Sequence, residues 1–255
     1  MSINTLFRAS RYMRILLPVL LISMIIGLPA YGQESEQKPQ NLQVLPKDIS
    51  HDALMEVMDS FTSGLGVRCS HCHAQNPDNE RRLDFPSDAK ETKKVARVMM
   101  QMTQTINRRL LPETGRRNLV QVKCVTCHSG KPIPYTLQQE LQTAYQASGL
   151  DSAVTRYKKL RGQYYGSAAF DFSEPSLISV AQDFEKSDHN NVAEKFLNIN
   201  LDYFPKSAAT YAQLAQLYHS KGDKDTAMKY FQKALEIEPQ NGWIRRQMQQ
   251  MQNED

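Results

Sequence analysis

Two five-residue stretches, CSHCH at 69–73 and CVTCH at 124–128, hold all four cysteines of the chain. Each is a Cys-x-x-Cys followed at once by histidine. Three chemistries compete for such pairs: a zinc cluster, disulfides, or covalent attachment of haem. Zinc ribbons place their Cys-x2-Cys pairs about 15–20 residues apart, whereas 51 residues separate Cys72 from Cys124. A disulfide within Cys-x-x-Cys closes a tiny ring and would be redox-active rather than structural. The histidines decide the matter. The chain has 6 in 255 residues, so finding one directly behind both pairs is rare by chance. Cys-x-x-Cys-His is the c-type haem attachment pattern. Thiols three positions apart reach the two vinyl edges of one porphyrin, and the next residue sets an imidazole under the iron. Cys69, Cys72, Cys124 and Cys127 are therefore expected to carry two covalently bound haem c groups, with His73 and His128 as proximal iron ligands. No catalytic residue is expected.

Each motif follows a segment with helical periodicity. In DISHDALMEVMDSFTSGLGVRC, Ser50 is suited to an N-cap, and Leu54, Met58, Phe61 and Leu65 recur at helical spacing. Gly64 and Gly66 then break the helix just before Cys69. Residues 88–110 read as a longer amphipathic helix with an apolar stripe of Val95, Val98 or Met99, Met102, Ile106 and Leu110. Met55 and Met58 lie on or beside the first apolar face, and Met102 sits in the middle of the second. A methionine on such a face is ordinarily core packing. Here 55–102 holds five of the chain's 11 methionines, and a c-type haem with one histidine needs another ligand, which is often Met. Free histidines are few. His51 stands near a helix start, His71 lies inside the motif loop, and His189 and His219 belong to the C-terminal half.

LMEVMDSFTSGLGVRCSHCH, KKVARVMMQMTQTIN and CVTCH together resemble the cytochrome subunit family of photosynthetic reaction centres, specifically small exported relatives with two haems. The likeness covers about 48–131. In that family the repeated unit is a helix carrying an axial Met, a turn, and the attachment motif. Met-to-cysteine separations of 11 and 22 in the family are matched here by Met58 to Cys69 and Met102 to Cys124. The resemblance implies Met58 on the first iron and Met102 on the second, with Met55, Met99 and Met100 as the nearby alternatives. The chain departs from the photosynthetic subunit in having two attachment motifs rather than four.

The rest of the chain gives these sites a setting. Arg8, Arg11 and Arg14 precede the apolar run ILLPVLLISMIIGL, and AYG follows, the layout of a secretory signal peptide spanning 1–32 with cleavage near Gly32. Retention as an anchor is the alternative, although the run is shorter than the roughly 20 residues of a membrane span. Residues 33–43 are polar and aperiodic, a flexible linker to a haem domain at 44–136. The arginine pairs at 81–82, 108–109 and 116–117 suit haem propionates or an acidic partner as well as a plain solvated surface. NLVQVKC (118–124) alternates like a strand and is expected to form one arm of a small hairpin on the second haem. With 31 basic against 27 acidic residues and a charge of +4, nothing points to nucleic acid.

Beyond a proline-rich joint, SGKPIPY, the composition shifts to helices with a period of 34. Tyr211, Leu214, Ala215, Tyr218, Ala227, Phe231, Ala234 and Pro239 fall at positions that resemble a tetratricopeptide repeat. Thirty-four residues earlier stand Leu177, Val180, Ala181, Phe184, Ala193, Leu197, Asn200 and Pro205, and only Asn200 is out of pattern. Residues 137–164 resemble a degenerate pair of the same sort, YGSAAFDFSE is an insertion, and NGWIRRQMQQMQNED is a capping helix. The expected fold is mainly α: a haem-packed helical c-type cytochrome domain with a short β-hairpin, then an α-solenoid of about three helix pairs over 137–255. The expected function is that of an exported, periplasmic electron carrier rather than an enzyme. Its repeat domain would dock a redox protein partner, with association with a membrane complex left open. A dihaem peroxidase and a haem-based sensor or assembly factor are the rivals.

Overall fold

The computed structural model describes residues 38–253, so the expected signal peptide lies outside the described residues. The order of elements is α1 (His51–Leu65), a 3-10 turn (Cys69–His71), β1 (Ala74–Asn76), β2 (Asn79–Asp84), α2 (Glu91–Thr105), a π-helical turn (Ile106–Leu110), α3 (Leu111–Glu113), α4 (Cys124–His128), α5 (Leu137–Tyr164), α6 (Glu174–Lys186), α7 (Asn190–Tyr203), α8 (Ala208–Ser220), α9 (Lys224–Ile237) and α10 (Gly242–Gln252). The fold is mainly helical, with one two-stranded antiparallel sheet among the described residues.

Local chemistry sets the ends of α1. Ser50 Oγ accepts from Ala53 N–H, and Gly66 closes the helix in the left-handed conformation at φ 63°, which a glycine adopts without a Cβ penalty. The expected hairpin exists but lies elsewhere. Asn76 Oδ1 accepts from the backbone N–H groups of Asp78 and Asn79, an Asx turn that folds β1 onto β2 with Ala74 opposite Asp84. Residues 118–123 form no strand, and Val120 is 85% exposed. The backbone of Val122 instead pairs with the Asn107 side-chain amide, through Val122 N–H to Oδ1 and Nδ2–H to the Val122 carbonyl, both at 2.8 Å. One side-chain amide satisfies the groups that a strand partner would have taken.

The second amphipathic helix starts at Glu91 rather than 88 because Asp88 is engaged from its own side chain. Its carboxylate pairs with Arg97 at 2.8 Å and Lys93 at 3.1 Å. Lys93 Nζ also donates to the carbonyls of Phe85, Pro86 and Ser87. From the N-terminal segment, Asn41 Nδ2 donates to Pro86 O and Gln43 Nε2 to Asp88.

The C-terminal half repeats with the period read in the sequence. α6, α8 and α10 begin at 174, 208 and 242, and α7 and α9 at 190 and 224. The joints repeat too. His189 N–H donates to Phe184 O and Asp223 N–H to Tyr218 O, both at 2.9 Å, and the residue before each donor has positive φ, Asp188 at 60° and Gly222 at 79°. Asn200, the residue out of pattern, is fully buried. It donates to Glu174 O at 2.9 Å and Thr210 Oγ1 at 2.8 Å, joining helices of successive pairs. α5 bends at Ser148 and Gly149, whose angles are not helical, so 137–164 is a helix pair as the sequence indicates. Arg156 crosses the bend to Glu140 at 2.6 Å. The insertion folds back onto this pair, where Arg161 lies over the rings of Tyr165 and Tyr203 at 4.4 and 3.8 Å.

The Asp88 cluster carries a pH signature. Arg97, then the Asn41 amide and Lys93, hold its carboxyl well below the usual carboxylate value of 3.8. The folded value lies below the unfolded one, so the cluster's stabilisation is complete above the unfolded value and is lost as pH falls through the folded one. Asp88→Asn is therefore predicted to be less stable than wild type by a constant amount above about pH 5, a gap that narrows in stronger acid. Urea unfolding of both proteins across pH reads this directly.

Candidate functional site

The first motif folds as a single turn. Its backbone runs from an extended Arg68 into Cys69–His71, and the N–H groups of Cys72 and His73 both donate to Cys69 O, at 3.2 and 3.0 Å. Residues at i, i+3 and i+4 of a helical turn share a face, which gathers Cys69, Cys72 and His73. The start of α2 braces this turn from outside: Thr92 Oγ1 donates to His71 O at 2.5 Å and Lys90 Nζ to Ser70 O at 2.6 Å. His73 is half-buried, and its Nδ1 is buried without a hydrogen-bond partner. Its ring stands edge-on to Phe85 at 5.0 Å. Burial, then the Lys93 charge, push His73 below its ordinary value, which favours the neutral, metal-ligating imidazole.

The second motif is α4 itself, again one turn. Lys123 N–H donates to Thr126 Oγ1 at 3.0 Å at its start, and Ser129, left-handed at φ 48°, ends it. His128 Nδ1 lies 2.9 Å from Lys131 O. A carbonyl can only accept, so Nδ1 carries the proton and Nε2 keeps a free lone pair for a metal.

The two motifs meet through α1. Gly130 N–H donates to Gly64 O at 2.9 Å. A Cβ built on Gly64 would lie 3.1 Å from Val125 N and 3.3 Å from Cys124 Cβ, and one on Gly66 only 2.2 Å from Gly130 O. The last turn of α1, the helix that carries Met58 and leads into the first motif, therefore rests directly on the second. The glycines read in the sequence as helix breakers are also contact residues, a role that only the distant partner reveals.

All four cysteines are unpaired, and among the described residues no group of three or more His, Cys, Asp or Glu is placed to hold a metal ion. The two pairs do not converge on a common site. Burial pushes the thiols of Cys72 and Cys124 up, opposite to the lowered thiol of a disulfide-exchange pair. Around them the apolar faces lack protein partners. Of the described residues before Leu137, only Gly64 and Lys131 are buried, and the α2 stripe stands open, with Val98 59% and Met102 49% exposed. Met58 and Met100 are half-buried, and Met55 and Met99 are exposed. The arginines of the three pairs are all exposed. Two thiols and an imidazole on one turn, beside an uncovered apolar helix face, fit a covalently attached haem at each motif.

The family model of the photosynthetic reaction centre cytochrome C subunit matches residues 23–227. The chain belongs to this family. The match runs further in both directions than the motif residues alone indicate, and a tetratricopeptide repeat model matches 208–251. Among curated proteins, the chain is similar to the photosynthetic reaction center cytochrome c subunit of Roseobacter denitrificans, 34% identical over 110 residues, covering 42% of this chain and 28% of that one. The same subunit of Thermochromatium tepidum is 32% identical over 108 residues, 40% of this chain and 23% of that one. That of Rubrivivax gelatinosus is 33% identical over 105 residues, 40% and 25%. The matched part thus spans about a quarter of the length of these relatives. Membership in this cytochrome family brings covalently bound haem c as the cofactor class.

The α1 junction is testable by two glycine variants. Gly66 and Gly115 both have positive φ, 63° and 69°, but a Cβ at Gly115 meets nothing within 4 Å. Gly115→Ala is predicted to lose only the roughly 1–2 kcal/mol of a left-handed L-residue. Gly66→Ala adds the clash with Gly130 and is expected to lose clearly more. Equal urea midpoints for the two variants would refute the close contact.

Proposed function

We propose that this chain is an exported dihaem c-type cytochrome that passes single electrons to or from a redox protein. Thioether bonds from Cys69 and Cys72, and from Cys124 and Cys127, hold the two haems to the chain in the periplasm. His73 and Met58 would hold the first iron, and His128 and Met102 the second. Each haem, when bound, supplies an iron that takes up and gives back one electron. The chain's own part is to hold, orient and shield. The two turns bring thiols and imidazole to one side, the α1 and α2 stripes would shield the bound groups from water, and the methionines would exclude small ligands from the irons while raising the potential.

The observation that carries this reading is the distribution of burial. Every buried apolar side chain among the described residues lies at Leu137 or beyond, while the stretch with both attachment turns keeps its apolar faces uncovered. An apolar disc at each motif is the partner these faces need. Family membership supports the electron-carrier chemistry. Stacks of this kind offer a surface for protein segments, which supports docking of a redox partner. The relatives are named as reaction centre subunits, which supports association with a membrane complex. Among the described residues no helix is long and apolar enough to cross a membrane.

A mass spectrum of the exported protein is expected to show two added haems, and fewer would overturn the dihaem reading. The oxidised protein is expected to show the sulfur-to-iron charge-transfer band at the red edge of the visible spectrum. Met58→Ala and Met102→Ala should each remove one haem's share of it and open that iron to carbon monoxide when reduced. Undiminished bands would overturn the ligand assignment, and rapid peroxide turnover by the wild type would overturn the carrier.

A further inference from the structure

Lys131 is 7% exposed and is the one charged side chain in the buried set among the described residues. Burying a cation is costly unless it is held by good partners, so its surroundings call for a reason. Its backbone is committed to the second motif: Lys131 N–H donates to His128 O at 2.9 Å, and Lys131 O accepts from His128 Nδ1 at 2.9 Å. Ser129 and Gly130 between them both have positive φ, which turns the chain tightly enough for this reciprocal clamp. Its side chain is committed to the repeat half. Nζ donates to Tyr135 O at 2.7 Å and lies 3.9 Å from the centroid of the Phe170 ring. Phe170 belongs to the insertion between α5 and α6 and is itself buried, packed against Tyr164 and Phe172 at 5.3 and 6.0 Å. Cys127, Lys131, Tyr135, Phe170 and Asp171 line one cleft of about 400 Å³.

At the first motif His73 Nδ1 has no hydrogen-bond partner, and the backbone that acts on this imidazole is that of Phe85, not a residue held by the repeat half. The two histidines are thus held differently, and the difference runs through a residue that the repeat half grips. Burial pushes Lys131 below its ordinary value, with the Glu140 charge acting the other way, and Glu140 is already paired with Arg156. The Lys131 charge is therefore held by a carbonyl and an aromatic face, an arrangement that keeps a cation in place without neutralising it.

We propose that Lys131 is a positioning and tuning residue of the second haem site, clamping His128 through its carbonyl and holding a buried positive charge against Phe170, so that the repeat domain's insertion forms part of that site. This rests on the dihaem reading above. A fixed positive charge in a poorly solvated site favours the reduced iron, so it raises the potential of the second haem relative to the same site without it. The carbonyl clamp fixes the plane of the His128 ring.

The test uses the full-length, haem-loaded protein. Variants are Lys131→Met, which keeps the carbonyl and the stem but removes the charge, Lys131→Arg, which keeps the charge, and Phe170→Leu, which keeps apolar bulk without the aromatic face. Haem count by mass spectrometry is read first. Fewer than two haems in the wild type is failure of the dihaem reading, distinguishable from failure of the present one. With two haems present, redox titration of Lys131→Met is expected to lower one of two midpoint potentials and leave the other in place, with Lys131→Arg close to wild type. Phe170→Leu is expected to lower the same potential by a smaller amount. Its haem methyl proton shifts in the oxidised state, which follow the axial imidazole plane, should move for the haem whose signals connect to Cys124 and Cys127 and not for the other. Unchanged potentials in Lys131→Met, equal shifts of both haems, or a Phe170→Leu effect confined to the first haem would overturn the proposal.

Discussion

Where the chain buries its apolar side chains governs everything else about it. From Leu137 onward the helices pack on one another and close two apolar clusters, one around Leu177, Phe184, Phe196 and Leu197, the other around Ala215, Phe231 and Ile244. Among the described residues before Leu137 no apolar side chain is buried. α1 and α2 are each 15 residues long, about the length at which an isolated helix is marginal in water. Their apolar faces must be covered for them to persist. What holds them is polar: the Asp88–Arg97–Lys93 cluster, the Thr92 and Lys90 bonds to the first motif, and the backbone hydrogen bond of α1 to Gly130. In such an arrangement a bound group that fills the apolar faces stabilises the fold by mass action.

The two motifs share one local design but sit in different surroundings. In each, a single turn brings two cysteines and a histidine to one side. The first is braced by the start of α2, and its imidazole stands against Phe85. The second is braced by the end of α1, and its imidazole is held by the Lys131 carbonyl. α1 touches both, because Gly64 and Gly66 let its backbone come within hydrogen-bonding distance of Gly130. The repeat half reaches the second, through Phe170 against Lys131.

The helical repeats were legible almost residue by residue, since a 34-residue period puts the same side chain in the same environment each time. Asn200 was visible as a break in that pattern but not interpretable, because its partners Glu174 and Thr210 come from other helices. The hairpin was expected at 118–124 on alternation alone. Alternation marks an extended chain but does not supply a partner strand. Asn107, from the π-helical turn, took the place of one, while the Asn-Pro-Asp-Asn turn at 76–79 closed the hairpin instead.

The sequence by itself determined the chemistry and the local geometry. The spacing of cysteine and histidine within five residues, the helical stripes that end at each motif, and the period of the repeats all depend on interactions a few residues long. The tertiary structure alone decided which pieces meet. Gly66 against Gly130, Asn107 against Val122 and Lys131 against Phe170 join residues between 15 and 64 positions apart, and no local preference encodes such distances. Whether a glycine is a helix stop or a contact, and whether a lysine is solvated or buried beside the histidine of an attachment motif, follows from how distant segments pack.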